Sequence, residues 1–108
     1  MKYLLIIYTD PTHETTPEEM AAYYGYSAKF GAKVLGGEGL EMPDTATTVR
    51  VQNGQTLTTD GPYIETKEVL GGYYLVEAAD LDEAIEMAAA IPGAAYGAVE
   101  VRPVMQYD

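Results

Sequence analysis

Asp60 is the side chain in this sequence best placed to do chemistry. It stands in Thr59-Asp60-Gly61-Pro62-Tyr63-Ile64-Glu65-Thr66-Lys67-Glu68, which runs into Leu70-Gly71-Gly72-Tyr73-Tyr74-Leu75. Asp before Gly-Pro specifies a turn: the carboxylate can bond nearby backbone N–H groups, Gly accepts positive φ, and Pro fixes φ and removes a donor. A carboxylate fixed at the end of a strand serves as a general base or orients a substrate. The structural alternative is an Asx-type turn in which it bonds only backbone. His13, the one histidine, carries the only side chain whose ordinary pKa lies near neutrality. It is placed in the Pro11-Thr12-His13-Glu14 loop, either as a partner for the Asp60 turn or as a solvated loop residue.

Binding candidates surround these two. Glu38 and Arg50 are charges set in glycine-rich or apolar stretches, and Glu100 and Arg102 repeat that pattern two residues apart, hence on one strand face. Such charges either line a polar cavity or form ordinary ion pairs. Lys67 is an anion-binding candidate if its loop closes over a cleft. Ten tyrosines stand against one phenylalanine and no tryptophan. Tyr8, Tyr24, Tyr63, Tyr73 and Tyr74 would give a pocket flat apolar walls with hydroxyl tips, suited to a small cyclic ligand; half-wet interfaces are the other setting for them. A single histidine and no cysteine rule out a multi-histidine or thiolate metal site within one chain, as well as disulfides and a cysteine nucleophile. No nucleotide-phosphate loop, dinucleotide fingerprint, zinc spacing, EF-hand or serine-nucleophile motif occurs. Neither a metal nor a cofactor is expected.

The elements that must hold these residues are legible. Tyr3 to Tyr8 is a continuous apolar run and reads as a strand buried on both faces. Thr16 as N-cap, Pro17 at N1 and Glu19 as capping-box partner start a helix. Met20, Tyr23, Tyr24, Ser27, Phe30 and Val34 form its stripe, and Gly36-Gly37 is expected to end it. Glu38-Gly39-Leu40 then begins a second strand. Asn53-Gly54 between Ala46–Val51 and Gln55–Thr59 specifies a hairpin. Gly72–Glu77 is a further strand. Asp80 caps a second helix with Leu81, Ala84, Ile85 and Ala88 on its buried face, and Ala98–Val104 is the last strand.

The order β-α-β-hairpin-β-α-β describes one α+β domain, residues 1–108, with a ferredoxin-like split βαβ plan and an inserted β-hairpin. Both helices fall on one sheet face. Leu4, Ile6 and Tyr8 make the other face apolar as well, so a second copy is expected to cover it, sheet against sheet, in a two-fold homodimer. A formal net charge of −11 argues against nucleic acid as a partner. The opening apolar run is too short for a signal-peptide core or a membrane span, which makes the cytoplasm the default location and membrane association unexpected.

Seven segments in order resemble the YCII-related family, in its DGPF-type branch: Met1-Lys2-Tyr3, Gly36 to Leu40, Ala46 to Arg50, Thr59 to Glu68, Gly71 to Leu75, Asp80 to Ala84, and Gly97 to Pro103. Tyr63 departs from the phenylalanine usual in that branch. The resemblance implies a dimeric α+β barrel, two ferredoxin-like sheets face to face with a cleft in each subunit, within a superfamily that includes small enzymes acting on cyclic metabolites. A His–Asp pair is proposed in some members, and His13 is not in register with that histidine. The expected function is cofactor-free isomerase, lyase or dehalogenase-like acid–base chemistry on a small cyclic or acidic metabolite, with Asp60 as base or orienter. The alternative is a non-catalytic small-ligand-binding or regulatory accessory dimer.

Overall fold

The computed structural model describes residues 1–107. Four strands form one antiparallel sheet: β1 (Lys2–Thr9), β2 (Val34–Gly39), β5 (Val69–Glu77) and β6 (Ala98–Pro103), in the order β2-β5-β1-β6. β3 (Thr47–Gln52) and β4 (Gln55–Asp60) pair as a separate ribbon between β2 and β5. Asn53 and Gly54 turn it with positive φ, 52° and 76°, as a type I′ turn demands. The helices are α1 (Pro17–Tyr24), α2 (Tyr26–Phe30), α3 (Leu81–Ala89) and α4 (Gly93–Tyr96). The chain folds as a ferredoxin-like α+β domain with an inserted hairpin.

Alternation in β1 sorts the two sheet faces. Tyr3, Leu5 and Ile7 are buried with Val76 of β5 beneath the helices, and Tyr26, Ala84, Met87, Ala88 and Ile91 complete that core. Leu4, Ile6 and Tyr8 point the other way and are only half-buried. Leu75 and Tyr73 face Leu4 and Ile6 across the ladder, and Arg102 and Glu100 face them from β6. Among the described residues no helix covers this second face. A one-residue shift follows Ile7: Ile7 pairs with Gly72, but Tyr8 pairs with Leu70, leaving Gly71 as the extra residue of a β-bulge. Two glycines let β2 approach β5. A Cβ on Gly72 would stand 2.8 Å from the Glu38 carbonyl oxygen, and one on Gly37 2.6 Å from that of Tyr73.

The first helix starts as the sequence dictates. Thr16 Oγ1 accepts the Glu19 N–H at 3.1 Å, and the Glu19 carboxylate accepts the Thr16 N–H at 3.3 Å. It does not run to Gly36-Gly37. Gly25 interrupts it, a second short helix follows, and Val34, Gly36 and Gly37 belong to β2. The expected stripe therefore shifts: Met20 and Tyr24 are exposed, and Tyr26 enters the core. In α3, Asp80 caps Glu83 N–H at 2.9 Å. Ala84 and Ala88 are buried as expected, but Met87 joins them, whereas Leu81 and Ile85 are half in solvent. The nine-residue helix is too short for its whole apolar arc to reach one sheet.

Candidate active site

The Asp60 turn is held by backbone and by a threonine, not by its own carboxylate. Gly61 has φ +101°, a conformation that suits glycine alone. Its N–H donates to the Ala46 carbonyl at 2.7 Å, and Thr48 Oγ1 donates to the Gly61 carbonyl at 2.9 Å. Asp60 ends β4 opposite Thr47. Among the described residues its carboxylate accepts no hydrogen bond, which removes the Asx-turn explanation and leaves both oxygens free.

Asp60 lines a cleft of about 1090 Å³ between the Leu40–Ala46 segment, the Gly61–Thr66 loop and the end of the main sheet. Tyr8, Leu40, Met42, Pro43, Tyr63, Ile64, Val69 and Leu70 supply apolar walls. The Leu40–Ala46 wall is a site element that sequence reading passed over. Its signal was Pro43-Asp44, which opens a 3₁₀ turn over Pro43–Thr45. Glu41, Asp44 and Glu65 join Asp60 on the lining, and no lysine, arginine or histidine does. An anionic ligand would therefore meet carboxylates without a compensating cation. No group of three or more His, Asp or Glu side chains among the described residues is arranged to hold a metal ion.

Of the nine candidates, Tyr8, Asp60 and Tyr63 share this cleft. Arg50 comes to its edge: the guanidinium carbon lies 4.9 Å from the Tyr63 ring centroid, a cation–π contact between hairpin and loop. Lys67 is exposed on the same loop, and its charge acts on Asp10 instead. The Asp10 carboxyl is held below the usual carboxylate range chiefly by bonds from the Thr12 hydroxyl and N–H, with Lys67 and His13 adding to them against desolvation. Glu38 and Tyr74 line a second, smaller cleft beside α1. Tyr74 serves the core there, stacked on Tyr26 at 4.3 Å with its hydroxyl donating to the Tyr23 carbonyl at 3.4 Å. Burial pushes the Tyr74 hydroxyl pKa up. Arg102 lies on the uncovered sheet face with Nη2 2.5 Å from Glu100 Oε2. That contact is an ion pair without hydrogen-bond geometry, so the solvent-shielded Oε2 still lacks a hydrogen-bond donor.

His13 is not brought to Asp60. Its Nε2 sits 3.0 Å from Glu19 Oε2, and its ring stacks on Tyr96 with centroids 3.8 Å apart. Glu19 is only 12% exposed. Desolvation opposes its charge, but bonds from His13 and Thr16 outweigh that and hold its carboxyl below the usual range. The capping-box acid thus also anchors the β1–α1 loop, a dual use that the sequence does not announce.

No helix among the described residues is long and apolar enough to cross a membrane. In overall structure the chain is similar to 5-chloro-2-hydroxyhydroquinone dehydrochlorinase (TftG) from Burkholderia phenoliruptrix AC1100, solved with 2,5-dihydroxybenzoquinone. The TM-score is 0.60 at 18% identity, over 99% of this chain and 96% of that one, a likeness of fold. An uncharacterized protein of Rhizobium meliloti (strain 1021) is 45% identical over 69 residues, 61% of this chain and 56% of that protein. The match thus spans little more than half the length of that relative. The YCII-related domain matches residues 1–108, and the chain belongs to the YCII-related family.

Proposed function

We propose that this protein is an enzyme whose own side chains carry out acid–base chemistry on a small, uncharged ring compound bound beside Asp60. The observation that carries this reading is a carboxylate free of intramolecular hydrogen bonds in an apolar-walled cleft. Both oxygens are then available to a substrate hydroxyl or an acidic C–H. Asp60 takes the proton, and the electron pair forms a ring carbonyl. The displaced ring π pair takes a proton at a ring carbon, which completes an isomerisation; where that carbon carries a halogen, loss of a second hydroxyl proton to Asp60 then expels halide and completes a dehydrohalogenation. The uncompensated acidic lining favours hydroxylated rings over the carboxylic acids that sequence reading also allowed. A chlorinated hydroxyhydroquinone, as named for the structural neighbour, fits that description of charge and shape. Tyr8 and Tyr63 would flank the ring, with Arg50 steadying Tyr63. The same reading takes the working form as a homodimer with the uncovered sheet faces together.

The engagement of His13 with Glu19 and Tyr96 favours a second reading, a ligand-binding accessory protein without turnover, because no histidine lines the cleft among the described residues. A thermal-shift screen of wild type and Asp60→Asn against hydroquinones, phenols, lactones and benzoates separates these. Hydroxylated rings should raise the wild-type melting temperature, and Asp60→Asn should abolish the shift. Conversion of the same compounds, followed by chromatography, then distinguishes enzyme from binder. Equal shifts in both proteins, or a preference for benzoates, would refute the assignment of Asp60.

A further inference from the structure

We infer that the β3–β4 hairpin is an intersubunit arm that lays its valine patch, Val49 and Val51 with Thr56 and Thr58, on a second copy of this chain. Every residue from Thr47 to Asp60 is exposed except Thr48, which is half-buried. Val49 and Val51, at 58% and 68% exposure, share one face of the ribbon with their cross-strand partners Thr58 and Thr56. Beyond the Thr47–Asp60 pair at its foot, which puts Asp60 on this same side, the face is wholly β-branched and carries no charge. The other face carries Arg50, Gln52 and Gln55. An isolated two-stranded ribbon is marginal in water, and the hydrogen bonds at the foot of this one, Gly61 N–H to Ala46 and Thr48 Oγ1 to Gly61, close the ribbon on itself.

Surface area identifies the occupant. A folded monomer of 11.7 kDa is expected to expose about 5900 Å². This chain exposes 7694 Å², an excess of about 1800 Å² over that scaling. The radius of gyration is 15.7 Å, against about 13 Å for a compact domain of this length. Two chains each hiding such an excess would bury about 3600 Å², within the span of obligate homodimers. Apolar side chains of the uncovered sheet face account for part of it, and the arm supplies another. Because the four residues of the patch beyond Asp60 are uncharged, their contact adds no like charge between two chains of net −11. The inference rests on the dimer reading and goes beyond it. Asp60 is the last residue of the arm, so docking would fix the Asp60 turn, and through Arg50 and Tyr63 a wall of the cleft.

Sedimentation velocity from nanomolar to micromolar concentration, on wild type and Val49→Asp/Val51→Asp, tests it. The wild type should sediment as a dimer, and the double variant should associate at least tenfold more weakly. A wild-type dimer with an equally tight variant overturns the arm and leaves the dimer standing; a monomeric wild type overturns both. Hydrogen exchange of wild-type amides 47–60 gives a readout that needs no variant. Protection should rise with dimer population, and fast exchange at every concentration would overturn the arm.

Discussion

Tyr26→Phe should destabilise the domain out of proportion to the one oxygen it removes. Tyr26 is 2% exposed. Its hydroxyl donates to the Met87 carbonyl at 2.6 Å. Met87 lies in the last turn of α3, where carbonyls have no partner further along the helix. The following amides of Ala90 and Ile91 both bond to Ala88 instead. The substitution therefore leaves a buried acceptor unsatisfied, at a cost of about 1–3 kcal/mol, while the ring keeps its stack on Tyr74 and its tilted contact with Phe30. For a domain of this size that corresponds to about 5–15 °C in melting temperature. Alkaline pH adds a second signature. Burial raises the Tyr26 pKa above its ordinary value, so its contribution is complete below the unfolded tyrosine value of about 10 and is lost as pH rises above it. The wild type should lose stability above pH 10 more steeply than Tyr26→Phe. Thermal unfolding at one fixed protein concentration measures both effects. A melting temperature within about 2 °C of wild type at pH 7 would refute the capping role that the geometry assigns.

Two further outcomes follow from contacts elsewhere. Gly72→Ala should cost about 1–3 kcal/mol in urea unfolding, because its Cβ would press on the backbone of Glu38; Gly36→Ala, whose Cβ would meet nothing within 4 Å, should fall within about 0.5 kcal/mol of wild type. Glu19 has a lowered carboxyl pKa, so its contribution is present above the unfolded carboxyl value of about 4.3 and fades as pH falls through the folded one; the urea midpoints of wild type and Glu19→Gln should differ at pH 7 and draw together as pH falls below about 4.

Local chemistry was the legible part of the fold. Thr16, Asp80 and Asn53-Gly54 each act on neighbours within four residues, and the caps and the turn stand where those residues predict. The errors share a different cause. Continuing the first helix to Gly36-Gly37 treated Val34 as the next step of a 3.6-residue stripe, whereas its pairing with Val76 is a contact 42 positions away. The same non-local demand buries Tyr26 and leaves Tyr24 outside. For the candidate site, the Asp-Gly-Pro residues line the cleft, but its far wall at Leu40–Ala46 and the capture of His13 by Glu19 depend on where distant segments meet. Neither leaves a periodic trace.

The extra residue at Gly71 works as a phase shifter. Along β5, Tyr74 and Gly72 follow the parity of the helix-facing side; without the bulge Leu70 would follow them inward. One inserted position turns Leu70 to the side of Tyr8 and hands the loop to the cleft. Deleting or adding a single residue there would invert the wall that Val69 and Leu70 present, while a change of two would restore it. Length variation among homologues at this point should therefore come in even steps.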